Sequence, residues 1–251
     1  MRRWVTAAFC LLALIGAGCG SDGEDKPKGE PGATARPPQT TTVEGCREVK
    51  APPRKPGGGE QRPDGPLASG KTYSVKLATS CGDFTIRVDQ RAAPQAAASF
   101  VALARKGFFD ETVFHRIVPR FVIQGGDPTA SGTGGPGYFT RDVPPRKARY
   151  TKGVVAMAKT APEPAGTAGS QFYVVTGADA GLPPEYAVLG RVTSGLDVVE
   201  RIGELGDPAS GEAGTPSQTV VLEDASVSEF TSQPEKKRKK KRRARRSPRR
   251  R

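Results

Sequence analysis

Few residues here can carry covalent or metal chemistry. The 251 residues include one His, one Trp, two Met and four Cys. With a single imidazole, at His115, a multi-histidine metal centre is excluded. A Ser-His-Asp triad would have to recruit that same residue, and no nucleophile elbow accompanies it. No two cysteines stand in a CxxC pair, which argues against thioredoxin-like chemistry and against zinc. The Gly-rich stretch Ser131–Tyr138 lacks the Lys-Ser/Thr ending of a phosphate loop and is expected to be a flexible loop. No repeat of about 20–50 residues is visible, so solenoids and propellers are excluded. The longest apolar run, Trp4–Ile15, is shorter than the about 18 residues that a membrane span needs.

Charge is abundant but unevenly placed. The net charge is +13, and Lys236–Arg251 alone holds five Lys and eight Arg with no acid. The rest of the chain is therefore neutral overall, which excludes a basic, nucleic-acid-type surface on the folded part. Thirteen like charges in so short a stretch repel one another, so residues 231–251 are expected to be a disordered polybasic tail. Its natural partners would be anionic lipids or acidic wall polymers. Nucleic acid is the alternative, and an export signal on the same chain argues against it. Residues 20–70 are rich in Pro, Gly and charge and poor in large apolar side chains, and are expected to be a disordered linker. Residues 72–230 carry nearly all the remaining aromatic and branched apolar residues, enough for one compact core.

The N-terminus has a basic start at Arg2 and Arg3, a short apolar core and the small residues Gly16-Ala17-Gly18 before Cys19. This is the pattern of a secretory signal over residues 1–18. A Cys directly after small residues resembles the lipobox of bacterial lipoproteins, although Gly16 stands where that family usually has Leu. The resemblance implies a lipid on Cys19 and display on the outer face of the cytoplasmic membrane. Simple cleavage and an uncleaved anchor are the alternatives. With Cys10 lost and Cys19 lipidated, Cys46 and Cys81 remain as an even pair in an oxidising compartment. A Cys46–Cys81 disulfide is expected, with two free thiols as the alternative.

Alternating patterns predict a hairpin of Thr72–Thr79 and Asp83–Asp89. Pro94 opens and Gly107 stops a helix over Gln95–Lys106. Strands are predicted over Thr112–Val118, Phe121–Gln124, Gly153–Ala158, Gln171–Thr176 and Thr219–Phe230, and a second helix over Leu196–Leu205. Many short strands with two helices point to a mainly β domain, an antiparallel barrel plugged by helices.

The run Phe114-His115-Arg116-Ile117-Val118-Pro119-Arg120-Phe121-Val122-Ile123-Gln124-Gly125-Gly126-Asp127 closely resembles the cyclophilin signature. Ala156-Met157-Ala158, Gly169-Ser170-Gln171-Phe172-Tyr173, Leu189-Gly190-Arg191-Val192 and Gly195-Leu196-Asp197-Val198-Val199 match that family's later blocks in order. The resemblance covers about residues 72–230. It implies a closed eight-stranded antiparallel barrel capped by two helices, and peptidyl-prolyl cis-trans isomerase activity on proline-containing polypeptides.

The chemistry can be argued independently. Rotation about a prolyl amide is slow because the nitrogen lone pair is delocalised, with a barrier of about 18–20 kcal/mol. No bond breaks, so no nucleophile, metal or cofactor is needed. A fixed cationic donor that binds the twisted, pyramidal nitrogen better than the planar amide lowers the barrier. By resemblance and by chemistry, Arg116 is that donor. Gln124 would orient it and hydrogen-bond the substrate backbone. Phe121, Val122, Met157 and Tyr173 would line the proline pocket, with Leu182 at its rim and Tyr186 in its wall. Ala158 and Lys159 fall where the family's main chain grips substrate on an exposed edge. His115 faces away from Arg116 in a strand and is expected to be structural. A catalytically idle binding module of the same fold is the rival reading.

The chain departs from the family at the pocket rim. Gly181, or its neighbour Ala180, stands where cyclophilins often carry Trp, which implies weak cyclosporin binding with retained catalysis. Val122 replaces a longer Met, and Arg120 stands where small Gly is common.

Overall fold

The computed structural model describes residues 43–231. The signal, Cys19 and the polybasic tail lie outside the described residues. Nine strands form one curled antiparallel sheet. In chain order they are β1 (Lys71–Thr79), β2 (Gly82–Val88), β3 (Thr112–Val113), β4 (Arg116–Val118), β5 (Val122–Gly125), β7 (Val154–Met157), β9 (Phe172–Val175), β10 (Val188–Ser194) and β11 (Val221–Thr231). The order across the sheet is β3-β11-β1-β2-β10-β7-β9-β5-β4. β6 (Thr140–Arg141) and β8 (Thr167–Ala168) make a separate two-stranded pair.

The expected closed eight-stranded barrel is therefore corrected. Among the described residues no pairing joins β3 to β4, and the sheet stays open along that seam. The chain itself crosses the gap, because only Phe114 and His115 separate the two edge strands. The Phe114 amide still donates to the Val220 carbonyl at 3.0 Å and its ring is buried in the interior, after which the chain crosses to β4; this breaks the single strand predicted over Thr112–Val118. Val188–Ser194, which alternation does not mark as a strand, pairs with both β2 and β7 and completes the wall.

Helix α1 (Pro94–Arg105) plugs one end of the curl and buries Phe100, Val101, Leu103 and Ala104. Proline in the first turn removes a donor with no partner there, and the Asp142 carboxylate accepts from the Ala96 amide at 2.7 Å. Helix α2 (Leu196–Gly203) buries Val198, Val199 and Ile202. Inside, Phe172 meets Phe100, Phe109 and Phe114 edge-on, with centroids 5.4, 6.0 and 6.2 Å apart. Edge-to-face packing suits the ring quadrupole and fixes the centre of the core.

Residues 43–70, expected to be a disordered linker pinned at its end by the Cys46–Cys81 disulfide, lie against the domain along much of their length. Cys46 is bonded to Cys81, and the Arg47 amide donates to the Ser80 carbonyl at 2.8 Å. Composition alone misleads here, because backbone hydrogen bonds, one covalent link and scattered apolar contacts from Val43 and Leu67 hold the segment, with no continuous apolar face.

A second apolar cluster forms on the outer face of the sheet. Side chains alternate along a strand. In β5, β7 and β9, Ile123, Val155, Met157 and Val174 face the main core, while Val122, Ala156, Tyr173 and Val175 face out. Phe121, Ala158, Ala180, Leu182, Tyr186 and Val188 pack around this outer cluster. The candidate site sits upon it.

Candidate active site

A hollow of about 270 Å³ opens on the outer face, lined by Arg116, Phe121, Val122, Gln124, Ala158, Lys159, Tyr173, Leu182 and Tyr186. Nine of the ten residues expected in the site are thus brought together. Met157 is the exception. It is buried in the main core beside Phe172, because strand parity turns it inward while its neighbours Ala156 and Ala158 face out. It does not line the hollow.

Arg116 comes from β4 and is half-buried. Its Nε donates to the Glu212 carbonyl at 3.0 Å, from the 3-10 helix Pro208–Ala213, and its Nη1 donates to Gln124 Oε1 at 3.3 Å. The guanidinium carbon lies 5.8 Å from the centroid of the Phe121 ring. Burial lowers the Arg116 pKa from its ordinary value, opposed by the Glu212 carboxylate. The group remains a cation, since arginine does not deprotonate in proteins.

The turn between β4 and β5 delivers Phe121 to the rim. Arg120 adopts a left-handed φ of 58°, a conformation glycine would hold without strain. The Thr176 amide donates to the Phe121 carbonyl at 2.9 Å. Gly177 permits this approach, because a Cβ there would stand 2.1 Å from the Arg120 carbonyl oxygen. Tyr173 supplies one wall, with Tyr150 and Tyr186 rings 6.3 and 5.7 Å away. The Tyr173 hydroxyl has no partner among the described residues, and burial pushes its phenol well above the ordinary value, so it stays neutral. At Gly181 a Cβ would meet nothing within 4 Å, which leaves the rim open on that side.

Lys159 does more than its expected main-chain part. Its side chain is 2% exposed, and its Nζ lies 3.1 Å from Glu185 Oε2 and 5.4 Å from the Tyr186 centroid. It also donates to the Thr160 and Glu163 carbonyls at 3.3 and 3.1 Å. The Ala158 amide donates to the Gln171 carbonyl at 2.9 Å, so the edge expected at Ala158 is already partly occupied.

Two functional residues escaped the sequence reading. Gln171 Oε1 accepts from Gln124 Nε2 at 3.0 Å, and Gln171 Nε2 donates to the Gly132 and Gly134 carbonyls at 2.9 and 3.0 Å. Its place two residues before Tyr173, on the same strand face, was the available signal. Asp127 is fully buried and accepts from the amides of Thr129, Ser131, Gly132 and Gly134 and from the Thr129 hydroxyl. Burial alone would raise its pKa, but the bonds from Thr129, Gly134 and Gly132 outweigh it and hold the carboxyl below the usual range. The stretch Ser131–Tyr138 is irregular yet pinned at many points.

Beside the hollow lies a second cavity of about 510 Å³, and Gln124, Ala158 and Lys159 line both. His115 lines neither. Its ring nitrogens are buried without partners among the described residues, and burial lowers its pKa against the opposing pull of Asp127.

The hollow thus sets one fixed guanidinium beside aromatic and aliphatic side chains on the outer face of a curled antiparallel sheet. The family model described as "Cyclophilin type peptidyl-prolyl cis-trans isomerase/CLD" matches residues 74–227, and the chain belongs to that family. It is similar to peptidyl-prolyl cis-trans isomerase-like 1 of Gibberella zeae, 32% identical over 166 residues that cover 64% of this chain and 99% of that protein. It is also similar to the spliceosome-associated protein CWC27 homolog of Xenopus laevis, 38% identical over 60% of this chain and 31% of that longer protein. A crystal structure of a Cryptosporidium parvum cyclophilin-type peptidyl-prolyl isomerase, solved in the presence of the dipeptide Ala-Pro, superposes with a TM-score of 0.55. That match has 28% identity and covers 62% of this chain and 98% of that one. The chain is a cyclophilin-type peptidyl-prolyl cis-trans isomerase.

Proposed function

We propose that this isomerase accelerates Xaa-Pro isomerisation in exported proteins, and that Arg116 does so by stabilising the twisted amide. One observation carries the mechanism: the guanidinium stands half-buried at an apolar hollow, held by Gln124 on one side and a carbonyl on the other. The hollow holds the proline ring through Phe121, Val122, Tyr173 and Leu182. As the acyl group turns, the amide nitrogen becomes pyramidal and regains its lone pair, and Arg116 donates to it. The planar amide has no such lone pair to offer, so the contact strengthens towards the transition state. Peptides from a dipeptide upward present this group, and no cofactor or metal takes part.

The setting is proposed from the sequence. Residues 1–18 are a signal, Cys19 carries the lipid, residues 72–230 are the catalytic domain, and the tail from residue 231 contacts anionic lipids or wall polymers. The Cys46–Cys81 bond supports an oxidising compartment. A spliceosome-associated relative and a basic tail favour a nuclear reading, but the disulfide and the leader oppose it.

A protease-coupled assay on an Ala-Pro peptide tests the activity. Arg116→Ala is expected to lower the rate about 10²- to 10³-fold. Equal rates for both proteins would leave an idle binding module. Labelling cells with a clickable fatty acid tests the anchor, and label that survives Cys19→Ala would refute it.

A further inference from the structure

Residues 55–60 lie along the irregular loop that follows Asp127. The Lys55 amide donates to the Pro128 carbonyl at 2.9 Å, that of Gly58 to Gly135 at 2.8 Å, and that of Glu60 to Pro136 at 3.0 Å. Side chains fasten the same stretch. Lys55 Nζ reaches the Gly107 and Phe108 carbonyls, each at 3.4 Å, and the Glu60 carboxylate pairs with Lys106 at 2.7 Å. Contact is main chain on main chain, for a Cβ on Gly137 would come within 3.0 Å of Gly58 Cα. Gly57 and Gly58 thereby form part of the wall of the second cavity.

This segment precedes residues 74–227, which the family model matches, so the wall is built from outside the matched domain. The cavity communicates with the proline hollow across Gln124, Ala158 and Lys159. A side chain flanking a proline seated in the hollow can therefore reach that cavity. Much of the lining is glycine main chain, which leaves room for a large group, and the Phe139 ring beside it is 63% exposed. The charges within reach are already engaged. Lys159 is held by Glu185, and the Glu163 carboxylate accepts from the Thr160 amide and hydroxyl. The cavity thus favours an apolar occupant over a charged one.

We propose that residues 55–60 are a specificity-determining wall, which completes the second cavity so that it holds a bulky apolar side chain flanking the proline of a bound polypeptide. This rests on the isomerase reading above.

The test compares the full chain with its Gly58→Pro/Glu60→Pro variant. Proline has no N–H for the Gly135 and Pro136 carbonyls, and its ring cannot adopt the φ of +84° at Gly58. Both proteins are assayed on Ala-Pro peptides whose flanking residues on either side are varied through Ala, Leu and Phe. Dissociation constants are read in parallel by fluorescence anisotropy of the same labelled peptides. The wild type is expected to prefer Phe over Ala at one flanking position by about tenfold, and the variant to lose most of that ratio while turning over the all-Ala peptide normally. An unchanged ratio in a folded variant overturns the proposal. Should the proline variant not fold, Lys55→Ala/Glu60→Ala loosens the segment through its side chains alone and must shift the ratio in the same direction. A wild type inactive on every peptide would overturn the isomerase reading, and the anisotropy ratios would still decide the wall.

Discussion

The two adjoining hollows are built by different means. The smaller is made of side chains set at alternate positions on β5 and β9 and on the turn before them, so its chemistry is fixed residue by residue. The larger draws much of its wall from glycine main chain, with glycines from two distant segments laid against each other and a buried carboxylate gathering the loop. Changes in the first should alter the reaction, whereas changes in the second should alter loop order and the choice of substrate.

Removing the covalent tether separates the regions most strongly. The Cys46→Ser/Cys81→Ser protein frees a span of 35 residues and is expected to be about 2–4 kcal/mol less stable in denaturant titrations. Its rate on an all-Ala peptide should be retained, and a matching collapse of activity would erase the distinction between the two hollows.

Asp127→Asn acts mainly on the loop, whose amides its carboxylate gathers. It replaces a charged acceptor by a neutral one and should cost about 1–3 kcal/mol at neutral pH. The folded-state pKa of Asp127 lies below the ordinary 3.8, so its contribution is complete above that value and is lost as pH falls through the lower, folded value. Stability curves of wild type and variant should therefore converge in acid. A gap that stays constant would mean that the charge is irrelevant.

The smallest effect is expected at Thr176, whose side chain faces Gly203 of α2. The Thr176 hydroxyl is buried without a partner among the described residues. Thr176→Val keeps the shape and removes the unpaired group, so a gain of about 1 kcal/mol is expected by thermal melting. A loss would reveal a bonded water at that hydroxyl.

The same contrast explains what could be read from residues alone. Arg116, Phe121, Val122 and Gln124 lie within one continuous motif, and Tyr173, Leu182 and Tyr186 follow in register, so nearly the whole smaller hollow was legible. Met157 stands in the motif but faces inward, because strand parity, which motif position does not show, turns it into the main core. The seam at Phe114–His115 was hidden because a strand and a chain crossing share one apolar pattern. Residues 43–70 read as linker because a segment held by amide-to-carbonyl bonds and a disulfide shows no hydrophobic period. Asp127 and Gln171 are harder to read because most of their partners are backbone amides and carbonyls, which leave no mark in side-chain identity.

The central claim is that Arg116 binds the twisted amide and not the flat one. Exchange spectroscopy on a proline peptide with wild type and Arg116→Ala, with affinity taken from chemical-shift titration in the same samples, tests it directly. The account predicts near-equal affinity for the ground-state peptide and exchange slower by about 10²-fold or more in the variant. Affinity and exchange falling by the same factor would contradict it, because Arg116 would then be an ordinary binding contact.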